Sequence, residues 1–256
     1  CFYCMHSTRG LPDGELSKTG LSIKHISTSL YAKILRDLKE FPTKVKRIVF
    51  SGLGEPLMNP ALPELIRQAR EAEVAERIDV ITNGVLLKPA TAQALLDAGI
   101  SRIQVSLQGL DADSFKRNCG VSICFEDFVA NLRFLFQKRG NAKIFIKIID
   151  ALLNGKTDEN LFYSTFGELC DQIFVEHLVS LERQMGTVGG RADNRRNLNN
   201  ETYQPRRVCS VPFYHFDINA DGDVFPCPIP GLPKDFAYGN STADSLMNIW
   251  HGNRRM

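Results

Sequence analysis

The sequence predicts an α/β protein whose strands form a parallel sheet, followed by a small second module of different character. Short runs rich in Ile, Val and Phe alternate with longer segments that carry apolar residues at helical spacing. Each repeating unit is roughly 25 to 45 residues long, as expected for a strand and its crossover helix. After residue 185 this alternation stops.

The predicted elements follow one another in a regular order. The first helix covers residues 25–41, because Leu30, Ile34 and Leu38 repeat at helical spacing behind a capping Ser27 or Thr28. Strands are predicted at residues 47–51, 77–82, 102–107, 143–149 and 173–178. Further helices are predicted at residues 63–72, 89–98, 125–138 and 160–170. Alternation alone fits either an open doubly wound sheet or a (β/α) barrel.

The end of the chain has a different pattern. Residues 185–207 are polar and lack an apolar period, which is typical of a linker or a long surface loop. Two short strands then follow at residues 215–219 and 224–227, and Gly222 between them suits a hairpin turn. With a short helix at residues 245–251, these elements indicate a small module over residues 208–256.

Composition excludes several classes of protein. The chain has 256 residues, 43% hydrophobic and 23% charged, which is ordinary for a globular protein with a sizeable core. Its apolar runs are much shorter than the roughly 20 residues of a membrane helix, and a net charge of +2 does not favour nucleic acid. Seven cysteines, an odd number, favour reduced thiols or metal ligands over a secreted disulfide framework. We therefore expect a cytoplasmic protein without a membrane segment.

Two thiols stand at the start of the chain. Cys1 and Cys4 are separated by two aromatic residues, Phe2 and Tyr3. Thiolates bind soft metals and iron–sulfur clusters well. Taken alone, the pair also fits half a zinc site, a thioredoxin-like redox pair or chance.

Polar residues and glycines follow three successive predicted strands. The first strand leads into a loop containing Gly54 and Glu55, the next ends at Thr82-Asn83-Gly84, and the third ends near Ser106. The carboxyl ends of parallel strands are where barrel proteins build their sites, and glycine lets the backbone approach a ligand closely. Each motif by itself is also consistent with an ordinary turn.

In this order, the motifs resemble those of the radical S-adenosylmethionine (SAM) family. The family's cluster motif is CxxxCx(aromatic)C, so the resemblance implies a third cysteine upstream of Cys1, with three residues between the two, and a first strand before that. It implies a partial (β/α)6 TIM-like barrel over residues 1–184, in which Cys1 and Cys4 hold a 4Fe–4S cluster. That cluster would cleave SAM reductively, with an electron supplied by a reductant such as ferredoxin or flavodoxin. A peptide or small-molecule substrate would then lose a hydrogen atom.

The resemblance also assigns residues to SAM. Tyr3 would lie against adenine, and Gly54 and Glu55 would hold the amino group. Asn83 and Ser106 would reach the ribose and carboxylate. Leu53 departs from the family's GGEP motif at its first glycine.

In the second module, Cys209 and Cys227 resemble the opening of the SPASM or twitch extension, which carries auxiliary 4Fe–4S clusters. The alternative is two buried cysteines of a hairpin. His177, at the end of the last barrel strand, is a candidate for substrate contact or proton transfer, although a core histidine is the commoner case. For the whole chain, the alternative is a metal-free or zinc-binding (β/α) domain whose CxxC is structural or redox-active.

Overall fold

The computed structural model describes residues 24–52, 54–179, 196–202, 208–228 and 232–252. Within these residues the chain forms one parallel sheet covered by helices, and a small antiparallel sheet near the end. The predicted linker over residues 185–207 lies outside this part except for residues 196–202. None of the described helices is long and apolar enough to cross a bilayer.

Strands and helices alternate along the barrel part of the chain, with two helices between the third and fourth strands. The strands are β1 (Val45–Phe50), β2 (Ala75–Thr82), β3 (Arg102–Leu107), β4 (Lys143–Ile149) and β5 (Gln172–Glu176). The helices are α1 (Thr28–Leu38), α2 (Leu62–Ala72), α3 (Pro89–Asp97), α4 (Ala112–Cys119), α5 (Phe125–Lys138) and α6 (Lys156–Phe166). The five predicted strands are confirmed, with ends shifted by one or two residues.

Strand order distinguishes the two folds that the alternation left open. The strands pair in the order β1-β2-β3-β4-β5, each parallel to its neighbour. Because parallel crossovers are right-handed, a sheet built without reversal of direction carries its helices on one face. A doubly wound sheet would reverse at a switch point. The fold is therefore a partial barrel, as predicted, and it is not closed over the described residues.

The two faces of the sheet differ in chemistry because side chains alternate along each strand. On β3, Ile103, Val105 and Leu107 are buried, and they pack in one apolar cluster with residues of the covering helices. The intervening Gln104 and Ser106 are only half-buried and face the opposite, concave side. This alternation makes the concave face the polar one.

Helix α4 has no counterpart among the predicted elements. It contains a single large buried side chain, Phe115, so it has no apolar period to reveal it. The helix begins instead with a capping box, in which the Asp111 carboxylate accepts from the Ser114 amide at 2.6 Å. That hydrogen bond is the main cause of a lowered pKa at Asp111.

The second module is a three-stranded antiparallel sheet with one helix. It comprises β6 (Asp217–Ile218), β7 (Asp223–Phe225), β8 (Gly239–Asn240) and α7 (Leu246–His251). The predicted hairpin between β6 and β7 is confirmed, and β8 was not predicted. Gly222 turns the hairpin with φ of +86°, and a Cβ there would come within 2.9 Å of Thr242.

Helix α1 joins the module to the barrel. One side packs Tyr31 and Leu35 into the main core, while Leu30 and Ile34 pack against apolar residues of β7 and α7. The carboxylate of Asp37, which is buried, accepts from the backbone amide of Leu246 at 3.0 Å and from Lys33 at 2.7 Å. Lys33 also donates to the carbonyl of Asp244 at 2.8 Å. The module is thus fixed by apolar contact and by a buried carboxylate at the start of α7.

We expect Asp37→Ala to lower the free energy of unfolding by about 1–3 kcal/mol, because it leaves the buried amide of Leu246 without its acceptor and removes the ion pair with Lys33. Urea unfolding followed by circular dichroism measures this. Glu76→Ala is the matched control, since Glu76 makes an exposed ion pair with Lys46 that should contribute less than about 1 kcal/mol. Equal losses in the two variants would contradict the anchoring role of Asp37.

Candidate functional site

The loop after β1 offers backbone to a ligand at the carboxyl edge of the sheet. Gly52 and Gly54 adopt φ of +105° and +152°, values that residues with side chains rarely adopt. Among the described residues, no atom lies within 4 Å of a Cβ built at either position. Backbone conformation, and not crowding by those residues, therefore accounts for the two glycines. Within the described part of the chain, the backbone of this loop is open to a ligand.

Glu55 fastens this loop to the end of the neighbouring strand. One carboxylate oxygen accepts from the amide of Leu57 at 3.1 Å and from the hydroxyl of Thr82 at 2.5 Å. The other accepts from the amide of Asn83 at 2.8 Å. A carboxylate has about four lone-pair positions, so three bonds leave room for one further donor. Glu55 can therefore hold the loop and still accept from an ammonium group.

The turn after β2 is also built by short polar contacts. The hydroxyl oxygen of Thr82 accepts from the amide of Gly84 at 3.0 Å, and the side-chain oxygen of Asn83 accepts from the amide of Val85 at 2.9 Å. The bond to Val85 uses only the oxygen of the Asn83 amide group, so its NH2 group is not consumed by the turn. Asn83 consequently serves the turn and retains donors for a ligand.

Ser106 lies on the concave face one residue before β3 ends. Its neighbours Val105 and Leu107 are buried on the helix side, so the Ser106 side chain points into the barrel. It is in register with Lys147 on β4. The structure therefore places Glu55, Asn83 and Ser106 at the carboxyl ends of three adjacent strands, along one edge of the sheet.

Two further polar pairs stand at the ends of β4 and β5. Lys147 forms an ion pair with Glu176 on the concave face. Beyond the strands, Nδ1 of His177 lies 2.5 Å from the Asp150 carboxylate, whose second oxygen accepts from the amide of Leu178 at 3.0 Å. The sequence indicated His177 alone. Its buried imidazole is hydrogen-bonded to Asp150, a partner 27 residues away in the chain.

The predicted cluster ligands are only partly described. Cys1, Cys4 and Tyr3 lie outside the described residues. Cys209 is an exposed thiol before the module's first strand, and Cys227 is a half-buried thiol just after β7. Among the described residues, no three His, Cys, Asp or Glu side chains come together as a metal site. The assignment of Cys1, Cys4, Cys209 and Cys227 to clusters therefore stays a prediction.

Other cysteines behave as structural residues. Cys170 is buried behind α6, and burial raises the pKa of its thiol to about 11. Such a thiol is protonated at neutral pH and is not a ready metal ligand. Ile148 on β4 is likewise a core residue, because it is fully buried on the helix side of the strand.

The strand order describes a partial (β/α) barrel, and the polar residues along the carboxyl edge of its sheet form the candidate site. The sequence profile of the Radical SAM superfamily matches residues 1–162, and that of an iron–sulfur cluster-binding domain, SPASM, matches residues 209–256. The chain belongs to the radical SAM superfamily. Both matches confirm the predicted cofactors, SAM and 4Fe–4S clusters. The glycine loop with Glu55 fits SAM.

Relatives with curated names match a little under half of the chain. A GTP 3',8-cyclase of Pelotomaculum thermopropionicum is 39% identical over 117 residues, which are 45% of this chain and 32% of that protein. A PqqA peptide cyclase of Granulibacter bethesdensis is 35% identical over 122 residues, which are 48% and 29% of the two proteins. The chain thus matches about a third of the length of these relatives.

Solved structures agree on the fold. BtrN, in complex with AdoMet and 2-DOIA, superposes with a TM-score of 0.56 at 20% identity over 100% of this chain and 78% of its own. SuiB of Streptococcus suis, bound to the precursor peptide SuiA, gives a TM-score of 0.64 at 15% identity over 99% and 62%. At these identities, both likenesses are likenesses of fold.

We expect Glu55→Ala to weaken SAM binding by about 1.5–3 kcal/mol, the range for a hydrogen bond to a charged group. Cluster assembly should be unaffected, because Glu55 is not a thiolate. Calorimetric titration of the reconstituted enzyme with SAM gives the affinity, and iron content gives the cluster.

Glu71→Ala, an exposed carboxylate on α2, is the matched control and should bind SAM as the wild type does. An unchanged affinity in Glu55→Ala would leave Glu55 as a turn residue only.

Proposed function

We propose that this chain forms the catalytic part of an enzyme that cleaves SAM reductively at a 4Fe–4S cluster. The cleaved cofactor then removes a hydrogen atom from a peptide or small-molecule substrate. The observation that carries the proposal is the loop of Gly52 to Glu55, open at its glycines and fastened by the Glu55 carboxylate to the end of β2. Together with the polar carboxyl ends of β2 and β3, this loop would form the binding surface for a zwitterionic cofactor.

The residues that would hold each group follow from their positions. Cys1 and Cys4 would bind two irons of the first cluster, with Tyr3 beside the adenine of SAM. Gly54 and Glu55 would take the amino group, and Asn83 and Ser106 the ribose and carboxylate. Cys209 and Cys227 would ligate an auxiliary cluster in the module over residues 208–256. The core would span residues 1–184 and the linker residues 185–207.

The substrate is not fixed by the relatives. About 120 residues of this chain align with each of two proteins named for unrelated substrates, GTP and a peptide. Similar identities to both, 39% and 35%, therefore do not favour one substrate over the other. The proposed substrate is therefore a peptide or a small molecule. The proposed electron donor is a cytoplasmic reductant such as ferredoxin or flavodoxin.

The alternative is a metal-free or zinc-binding (β/α) domain with a structural or redox CxxC. Anaerobic reconstitution with iron and sulfide separates the two functions. The proposed enzyme becomes brown and absorbs near roughly 400 nm, through charge transfer between thiolate and iron. A colourless protein that retains zinc would support the alternative.

We expect Cys4→Ala to abolish the release of 5′-deoxyadenosine from SAM in the presence of dithionite, because Cys4 holds the cluster that reduces SAM. Cys209→Ala should keep that release but lose about four irons per chain, the content of one auxiliary cluster. Liquid chromatography of the nucleoside and iron analysis measure the two effects.

Cys124→Ala is the control, because Cys124 is an exposed thiol with no assigned ligand role. It should resemble the wild type in both measurements. Full cleavage by Cys4→Ala would contradict the proposed cluster site.

A further inference from the structure

A row of cations crosses the concave face of the sheet at the amino ends of the first four strands. Each of these strands carries one arginine or lysine near its start, and the residue after it packs into the apolar core on the helix side. This amino-edge row consists of Arg47 on β1, Arg77 on β2, Arg102 on β3 and Lys143 on β4. In register, Arg47 stands opposite Arg77, and Arg102 stands opposite Lys143. Like charges in such positions destabilise a sheet unless other groups offset them.

The acidic residues around the amino-edge row do not match its charge. Within the described part of the chain, two carboxylates pair with it. Asp79 is fully buried and lies 3.0 and 2.7 Å from the arginines of β2 and β3, and Asp171 lies 3.3 Å from Lys143. None of the described residues forms an ion pair with Arg47. Four cations against two carboxylates leave a surplus charge of +2 at this edge.

Arg102 carries part of this surplus into the protein. Its side chain is 13% exposed, and its guanidinium group lies 4.9 Å from the ring centroid of Phe145. Its Nε atom is buried and has no hydrogen-bond partner among the described residues. Burial lowers the pKa of Arg102, the Asp79 carboxylate opposes that shift, and the charges of two further arginines add to it. An enclosed cation in these surroundings is stabilised by additional negative charge nearby.

Two arginines of the row are open to a ligand. Arg47 is exposed, and the side chain of Arg77 is 44% exposed. Because they stand opposite each other on strands about 4.8 Å apart, both guanidinium groups can reach one tetrahedral anion. Guanidinium groups bind phosphate oxygens through paired N–H donors. A phosphate group carries a charge of about −1.5 to −2 at neutral pH, which matches the surplus, whereas a carboxylate carries a single charge.

The amino-edge row lies at the opposite edge of the sheet from the candidate SAM site. Arg102 is four residues before Ser106 on β3, so their Cα atoms are about 13 Å apart along the strand. Arg77 is five residues before Thr82 on β2, which corresponds to about 17 Å. Phe145 stands between the two levels on the same face. A ligand on the exposed arginines is therefore reached from the amino side of the barrel.

We propose that the amino-edge row binds a phosphate group, with Arg47 and Arg77 as the direct contacts, at a site separate from that of SAM. Arg102 and Lys143 add positive charge on the same face. The phosphate group belongs to a free phosphate ion or to a phosphomonoester, and the two are alike at the guanidinium groups. The inference does not depend on the proposed radical SAM function, because it uses only the charges at the amino edge.

Calorimetric titration of the chain in a phosphate-free buffer of low ionic strength tests the proposal. The probes are inorganic phosphate, glycerol 3-phosphate as a phosphomonoester, and acetate as a singly charged oxyanion. We expect inorganic phosphate or glycerol 3-phosphate to bind with a dissociation constant of about 1 mM or lower. Acetate should bind about tenfold more weakly. Between the two phosphates, a difference of about tenfold identifies the source, and equal affinities assign recognition to the phosphate group alone.

Arg47→Met should weaken phosphate binding by about tenfold or more, the effect of losing a hydrogen bond between charged groups. Arg47→Lys should recover part of the affinity, because lysine restores the charge without the planar fork. Lys46→Met is the matched control, since it removes an exposed cation on the other face of β1, where Lys46 pairs with Glu76. Its phosphate affinity should stay within about twofold of the wild type. Melting temperatures show whether each variant is folded.

A second measurement tests whether the site is separate. The reconstituted enzyme should bind SAM with the same affinity in the presence and absence of saturating phosphate, and Arg47→Met should bind SAM as the wild type does. Competition between phosphate and SAM would overturn the inference and assign the row to the cofactor. A chain that binds phosphate but not SAM would contradict the proposed function and leave this inference in place.

Three further results would overturn the inference. They are a wild type that binds neither phosphate probe, equal phosphate affinity in the wild type and a folded Arg47→Met, and an equal loss in Lys46→Met, which would indicate attraction by the general charge of the surface. Acetate binding as tight as phosphate binding would also contradict it, because the surplus charge would then not select a dianion.

Discussion

The sequential pairing of five parallel strands determines the rest of this structure. Right-handed crossovers between strands that never reverse direction place every covering helix on one face. The opposite face is then closed only by its own side chains. Alternation along each strand sends Ile, Val and Leu to the helices and leaves Ser106, Lys147 and Glu176 on the concave side. The polarity of the barrel interior is thus a direct result of strand order.

A polar interior has to satisfy its charges, and this chain does so by pairing across neighbouring strands. Asp79 on β2, which is fully buried, is held by Arg102 on β3 and by Arg77 two residues earlier on its own strand. The guanidinium of Arg102 also lies 4.9 Å from the ring centroid of Phe145 on β4. Among the described residues, Arg77 and Arg102 thus share one carboxylate, and burial, together with the positive charges of Arg77 and Arg47, helps to lower the pKa of Arg102.

Much of the fold was predictable because its signals are local. The run KIFIKII carries its own alternation and identifies β4, and the turn chemistry around Gly222 identifies the hairpin. Helix α4 was not predicted because Phe115 is its single large core residue, so its polar sequence has no apolar period. Strand β8 has two residues, too few for any pattern. Where local signals fail, packing determines the element.

The candidate site shows the same division. Glu55 and Asn83 could be proposed from strand ends and turn residues, which are features of the sequence. Their hydrogen bond could not, because 28 residues separate the partners. The Lys147–Glu176 and Asp150–His177 pairs span 29 and 27 residues, and neither has a motif. Contacts between strands depend on register, which a single sequence does not reveal.

Helix α1 makes the two parts of the chain dependent on each other. It has two apolar sides, one buried by the sheet and the other, with Leu30 and Ile34, buried by the module. A barrel prepared without residues 208–256 would turn that second side to water and leave the carboxylate of Asp37 without the Leu246 amide. Exposed apolar side chains of this kind promote self-association. The two matched segments, residues 1–162 and 209–256, are therefore not expected to be soluble when they are prepared separately.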